Sequence, residues 1–497
     1  MTRELLARLL NAFRDPETSR PVIGEALFHS ATFTGDVDFE QAKFNEYAWF
    51  CRVMFTGDAQ FDRVAFTGGA SFAEARFARE AWFRMAEFPD VAVFNRATFS
   101  GAARFLGAAL PDPAFCSTTF LSDALFTGVS FENAPSFGPL VCKGEVELSG
   151  AVFRAPVTIE VAASELTCRR TRWVSTAALR LRYAALDLSD AVLEYPLTVT
   201  SHTAAFTDPW EETQLDESML LGSARARLSS LSGADAAHLT LTDVDLAECR
   251  LTGTIHLDQL RMEGRCTFST PPRRVNRRGW RITYWGPRLT LAEEHHWRTA
   301  RGAVGWAPVP ADADSVRPEA LAPVYRHLRK AFEDSKNEPD AADFYYGEME
   351  MRRHDTSQPF SERALLTAYW AASGYGLRAS RALGWLLVAM TVTLLALTAL
   401  GLPEDDPKPT STGQLTAGRV TLITDTPEPV NPDGPPAERF TTDRLEKSLR
   451  VVINSVVFGS SGQDLTTAGI YIEMASRLTE PILLGLAVLA VRGRVKR

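Results

Sequence analysis

Cysteine is scarce and scattered in this 497-residue chain: Cys51, Cys116, Cys142, Cys168, Cys249 and Cys266 include no CxxC pair. That spacing reads against a zinc site and a disulfide framework, so the thiols are expected to be small core fillers in a reducing compartment. The sequence also lacks a GxGxxG turn behind a strand, a Walker loop, a haem-type Cys-His signature and a GxSxG elbow. Without these motifs no catalytic residue, cofactor or metal site is expected. The net charge is only −8, too mild to call for a nucleic-acid partner. The opening stretch, MTRELLARLLNAFRDPETSR, holds no apolar run of signal-peptide length. It is expected to be an amphipathic capping helix within residues 1–24.

Phenylalanine, by contrast, is abundant and regularly placed. Phe33, Phe39, Phe44, Phe50, Phe55, Phe61, Phe66, Phe72, Phe77, Phe83, Phe88, Phe94, Phe99 and Phe105 succeed one another at steps of 5 and 6. The run opens at Phe28 and continues through Leu110 to Phe137, with Phe in 20 of 21 slots. An amphipathic helix wants apolar residues at 3, 4 and 7, and a half-buried strand wants them at 2. Two places before almost every Phe sits Ala or Val, as at Ala42, Ala48, Val53 and Ala59. Alternating large and small inward residues suit a narrow coil that turns a corner about every five residues. Coils of about 22 residues, four such steps, then stack roughly 4.8 Å apart as a β-solenoid. Each buried Phe contributes on the order of 2 kcal/mol.

This pattern resembles the pentapeptide-repeat family, whose five-residue unit has a large central residue and a small one two places earlier. The resemblance covers about residues 25–270 and is strongest before 140. It implies a mainly β fold, a right-handed quadrilateral β-helix, whose usual coil of four five-residue units is slightly shorter than the spacing here gives. The register carries on through Leu148, Phe153 and Ile159, is broken over 160–230, and returns at Leu241, Leu246, Leu251, Leu257, Met262 and Phe268. Within the break, FTDPWEETQLDESML is expected to be a loop thrown off one coil.

Residues 271–316 form a basic, aromatic linker. Arg273, Arg274, Arg277, Arg278 and Trp280 are candidates for the anionic face of a bilayer. A cap on the open solenoid end and a nucleic-acid surface are the alternatives. His295 and His296, beside Glu293 and Glu294, have ligand chemistry but no further convergent ligands. Residues 317–378 read as helices broken near Asn337–Pro339, packing on themselves or on the solenoid end.

The segment 379–402 includes an uncharged run from 382 to 402, long enough for a first membrane span. Arg363, Arg378 and Arg381 precede it, and Glu404, Asp405 and Asp406 follow, which places its N-terminal side in the cytoplasm. A Pro-rich, acidic, mobile extracellular loop is expected over 403–440. Residues 470–497 hold a second, shorter span, about 478–491, interrupted by Glu480 and followed by the basic tail RGRVKR. Both termini then face the cytoplasm at an inner cell membrane. Residues 441–469 have the layout of a re-entrant pore loop and look like the pore region of two-span potassium channels. That resemblance implies a tetramer and a filter of the form Thr-Val-Gly-Tyr-Gly-Asp, against which Val457, Phe458, Gly459 and Ser460 keep a single glycine.

The function expected is a membrane-anchored scaffold that binds an unidentified protein at the inner membrane face, with lipid as a second partner. Trp49 and Trp82, on outward positions, are its candidate contacts. A two-span channel-like protein with the solenoid as cytoplasmic sensor is the alternative. Similar chains are also sometimes labelled membrane-associated oxidoreductases, a reading that no motif here supports.

Overall fold

A chain that turns at such short intervals has room only for very short strands. In the computed structural model Thr32–Phe33, Val37–Asp38, Lys43–Phe44 and Ala48–Trp49 are four successive strands of this kind. They describe one circuit, and each pairs in parallel with its counterpart on the next: Thr32 with Met54, Val37 with Ala59, Lys43 with Ala65 and Ala48 with Ala70. The result is a β-solenoid of about 11 turns, roughly 50 Å long at the spacing of paired strands. The structure describes every residue except 273, 278–279, 284–287, 304, 309–315, 404–407, 417–418, 426, 431–438, 458, 460–461 and 496–497. It divides into two units, Met1–Met351 and Arg352–Arg497.

The alternation of 5 and 6 has a backbone cause. In the shorter step, from Phe39 to Phe44, the Ala42 N–H donates to the Phe39 carbonyl at 2.9 Å and Gln41 has φ 62°. This is the signature of a type II turn. Arg52, Arg63, Glu74, Met85 and Arg96 repeat it at every second corner, half a coil apart. The longer steps take the wider corners between them.

Inside, the phenylalanines form four columns. Phe28, Phe50, Phe72, Phe94, Phe115 and Phe137 make one, and the other three start at Phe33, Phe39 and Phe44. Rings one coil apart lie parallel, as for Phe50 and Phe72 (4.8 Å, 2°) or Phe77 and Phe99 (4.5 Å, 3°). Rings on adjacent faces meet edge-on, as for Phe61 and Phe72 (5.4 Å, 82°). Both geometries are favoured by the ring quadrupole. The small residues two places before them, from Ala42 to Ala103, are fully buried.

Past Leu148 the coil shortens. Val152 pairs with Arg172, Ile159 with Leu179 and Leu166 with Leu186. Glu147 pairs with Thr167 and Thr167 with Asp187, so the residues after them, Leu148, Cys168 and Leu188, share a column position, and Trp173 stacks on Phe153 at 4.3 Å. The stretch over 160–201, without register at steps of 5 and 6, is therefore regular solenoid on a shorter period, four steps of 5. The change follows two irregularities in the strand Ser136–Glu147, between Phe137 and Leu140 and between Cys142 and Glu145. Val199 next pairs with Leu241 and Leu186 with Leu228. One coil thus carries a long excursion, which contains the loop expected at FTDPWEETQLDESML.

Both ends of the solenoid are covered, which protects the open strand edges. At the N-terminal end lies α1 (Arg3–Ala12), capped by Thr2, with Leu6 and Leu10 in the core. At the C-terminal end α2 (Ala292–Ala300), α3 (Pro318–Asp334) and α4 (Glu338–His354) pack on the last coils. Phe332 and Phe344 meet Phe268 there, at 6.0 and 5.0 Å.

The second unit holds α5 (Phe360–Ser373), α6 (Ala379–Ala396), α7 (Thr442–Val456) and α8 (Thr467–Val495). A π turn, Leu397–Gly401, prolongs α6. Two helices are long and apolar enough to cross a membrane, Ala379–Gly401 and Thr467–Arg492. The second begins well before the 478 expected from hydropathy. Glu480 lies inside it, fully buried and accepting a hydrogen bond from Thr393 of α6 at 3.0 Å. Gly401 and Gly469 let the two helices approach closely, since a Cβ at Gly469 would stand 2.3 Å from the Gly401 oxygen. Within the loop between the spans, Thr410–Thr416 and Arg419–Asp425 form an antiparallel hairpin.

Candidate functional site

The residue before most core Phe faces outward and stacks on its counterpart one coil away, so each wall reads as a column of residues, in which Ser71 is buried beside Trp49. One column runs Leu27, Trp49, Ser71 and Val93. Leu27 is 66% and Trp49 42% exposed, and the half-buried Tyr47 lies against Trp49 with ring centroids 4.5 Å apart. Leu5 and Leu9 of α1 and Phe13, which caps its C-terminus, recur at every fourth position and are also exposed, so they lie along one side of the helix. The N-terminal coils thus carry apolar surface that their own fold leaves uncovered. Leu27 was legible as an outward position, one residue before Phe28; the exposure of the α1 stripe was not.

Trp82 stands differently. Arg104 lies over its ring at 4.1 Å and Arg84 at 4.9 Å, and each guanidinium is also paired, Arg104 with Glu80 and Arg84 with Asp62. Trp82 is half-buried and belongs to an inter-coil network. Such pairs recur up the solenoid: Arg52 with Glu74, Arg154 with Glu132, Arg172 with Glu194 and Arg180 with Glu160, each joining one coil to the next. Charges of opposite sign on successive coils explain the mixed walls.

The excursion after Ser201 folds back along the solenoid as a strap. Phe206 and Leu220 bury against Val141 and Ala162. Arg182 meets Glu217 at 2.8 Å, both almost fully buried. Further along, Arg96 holds Asp208 through two 2.9 Å hydrogen bonds. That contact keeps the Asp208 carboxyl well below the usual carboxylate range.

At the C-terminal end the basic linker splits in two. Arg274, Arg277 and Trp280 lie in a two-stranded hairpin, Arg274–Arg277 with Trp280–Thr283, while Arg273 and Arg278 lie outside the described residues. Arg288, Glu293, Glu294, His295, His296 and Trp297 are instead buried in the cap. Glu293 accepts from the Leu251 and Thr252 N–H groups at 2.6 and 2.9 Å and so ties α2 to the coil beneath. Glu294 accepts from Arg288, Tyr325 and Arg298, and Arg298 also reaches Glu350 at 3.0 Å. Burial alone would raise the Glu294 carboxyl, but the two guanidiniums and Tyr325 outweigh it and hold it at about 2. His295 bonds to Thr290 at 2.8 Å, and burial lowers its imidazole to about 4. Burial raises the thiols of Cys142, Cys168 and Cys249, which removes thiolate reactivity at neutral pH. Among the described residues no group of three or more His, Cys, Asp or Glu side chains could hold a metal ion.

In the second unit α7 is a half-length amphipathic helix packed on α8 and the π turn through Ser448, Val451, Val452 and Ser455. Val457 ends it exposed, and Gly459 follows. Phe458 and Ser460 lie outside the described residues. The Gly459 carbonyl accepts a hydrogen bond from Arg477 of α8 at 3.1 Å. A carbonyl already held by a guanidinium is a poor ligand for a passing cation.

Compared with known proteins, residues 22–65 and 61–109 match the family model described as Pentapeptide repeats (9 copies). No curated protein and no solved structure matches the chain.

Proposed function

We propose that this pentapeptide-repeat β-solenoid is a membrane-tethered scaffold that docks a protein partner at the cytoplasmic face of an inner membrane. One observation carries the reading: the first coils expose Leu27 and Trp49, the latter braced by Tyr47, on a wall whose backbone is fixed by pairing on both sides. Large rigid aromatics of this kind supply most of the binding energy at protein interfaces. The two long apolar helices, with Arg363, Arg378 and Arg381 before or in the first turn of the first and Arg492, Arg494, Lys496 and Arg497 at or beyond the end of the second, support a hairpin with both ends cytoplasmic.

The test places a photo-crosslinking residue at Trp49, and separately at Gln60 on another wall, in the full chain in intact membranes. A discrete adduct from Trp49 that Leu27→Asp removes, with none from Gln60, is the expected result. Equal labelling from both walls, or none from either, would reject the scaffold reading.

A second reading, a channel-like module, draws support from the placement of α7 between α6 and α8. Its test is potassium flux into liposomes holding the full chain. Flux that Gly459→Asp abolishes would establish it; no flux from inserted protein would leave the module as an anchor.

A further inference from the structure

A partly open cleft of about 560 Å3 lies between the cap and the last coils, within the size range of small-molecule sites. Glu165, Arg169, Asp187 and Ser229 line it from the solenoid, Glu248 and Arg250 from a later coil, and His295 and His296 from α2. Most polar groups on its wall already have partners. Arg169 pairs with Asp187 at 2.7 Å, Ser229 donates to the Leu186 carbonyl at 2.8 Å, and His295 bonds to Thr290.

Four groups differ. His296 is only 8% exposed yet makes no hydrogen bond among the described residues. Arg250, Glu165 and Glu248 likewise make no ion pair among them. The His296 ring nitrogens open onto the cleft and are free to bond a ligand there. Unpaired charges of both signs around one cleft suit a ligand that carries both signs itself.

We propose that this cleft binds a small zwitterion of the amino-acid or dipeptide class. Its carboxylate lies toward Arg250 and His296, and its ammonium toward Glu165 and Glu248. The site is independent of the exposed wall on the first coils. His296 faces Glu293, Glu248 and Arg250, and burial keeps it neutral, so it offers the carboxylate one N–H without adding charge.

The test is a thermal-shift and calorimetric screen of the full chain in detergent against the amino acids and a set of dipeptides. Acetate, methylamine and N-acetylated amino acids serve as the single-charge controls. At least one zwitterion is expected to bind, its N-acetyl derivative to bind at least about tenfold more weakly, and Arg250→Ala to lose about tenfold or more, the scale of a charged hydrogen bond. Glu165→Gln, at an exposed position, is expected to weaken the same ligand without lowering the melting temperature of the free protein. Amino acids and dipeptides separate the two sizes of ligand. Binding by none of them would overturn the proposal, as would acetate binding as tightly as the best zwitterion.

Discussion

Phe61 sits at the centre of the ladder and permits a quantitative test of it. Its ring is fully buried, stacked between Phe39 at 5.1 Å and Phe83 at 5.0 Å, with Phe50, Phe55 and Phe72 edge-on at 5.5, 5.8 and 5.4 Å. Truncation to Ala leaves a cavity that backbone pairing on every side keeps from collapsing. The expected cost is on the order of 4 kcal/mol, the range for buried Phe→Ala. Phe61→Leu keeps most of the volume and loses mainly the ring contacts, so about 1.5 kcal/mol is expected. Because each coil touches only its neighbours, the damage should be local. Hydrogen exchange should quicken over the coils holding Phe39, Phe61 and Phe83 and stay unchanged beyond Leu148. Urea unfolding and exchange mass spectrometry of the full chain measure both quantities. Equal costs for Ala and Leu, or exchange quickened uniformly along the solenoid, would refute the stacked-column account.

Other expectations are as direct. Gly57→Ala should cost about 2 kcal/mol, because its Cβ would stand 2.3 Å from the Gly35 backbone, whereas Gly24→Ala, with open space around it, should be nearly neutral in the same unfolding assay. Arg96→Ala should free the strap and speed protease cleavage within 203–224 about tenfold at neutral pH. Since the Asp208 carboxyl is depressed in the folded state, its contribution is complete above the unfolded value near 4 and is lost only as pH falls through the lower folded value. Wild-type cleavage should therefore be flat from pH 8 to 5. The His295 imidazole, lowered by burial to about 4, takes up its proton later than in the unfolded chain. Cap stability should then fall as pH drops from about 6.5 toward 4; an NMR titration of His295 with a midpoint near 6.5 would contradict this.

The N-terminal coils were legible because one residue type marks nearly every inward slot. From Phe28 to Phe137 a single spacing yields the register, the coil length and the outward residues. Between Ile159 and Leu241 the same logic failed for a physical reason. The coil shortens, Cys168 and Trp173 take slots that Phe had held, and a strap separates Val199 from its partner Leu241. The cap was harder still. Arg288 and Arg298 look like surface charge in the sequence, and only folding sets both against Glu294. Glu480 misled in the opposite sense: its charge reads as cutting the second apolar run short, but it lies inside the helix pair, where Thr393, distant in sequence, donates to one of its carboxylate oxygens. Trp49 and Trp82, alike in register, part company because only Trp82 has arginines at the right height on the wall.

Alkaline carbonate extraction of membranes from cells making the full chain separates a solenoid tethered through α6 and α8 from a soluble one. The protein is expected to stay in the membrane pellet, as helices crossing the hydrocarbon core do. Release of the intact chain into the supernatant would contradict the tether and return α6 and α8 to the role of soluble core helices.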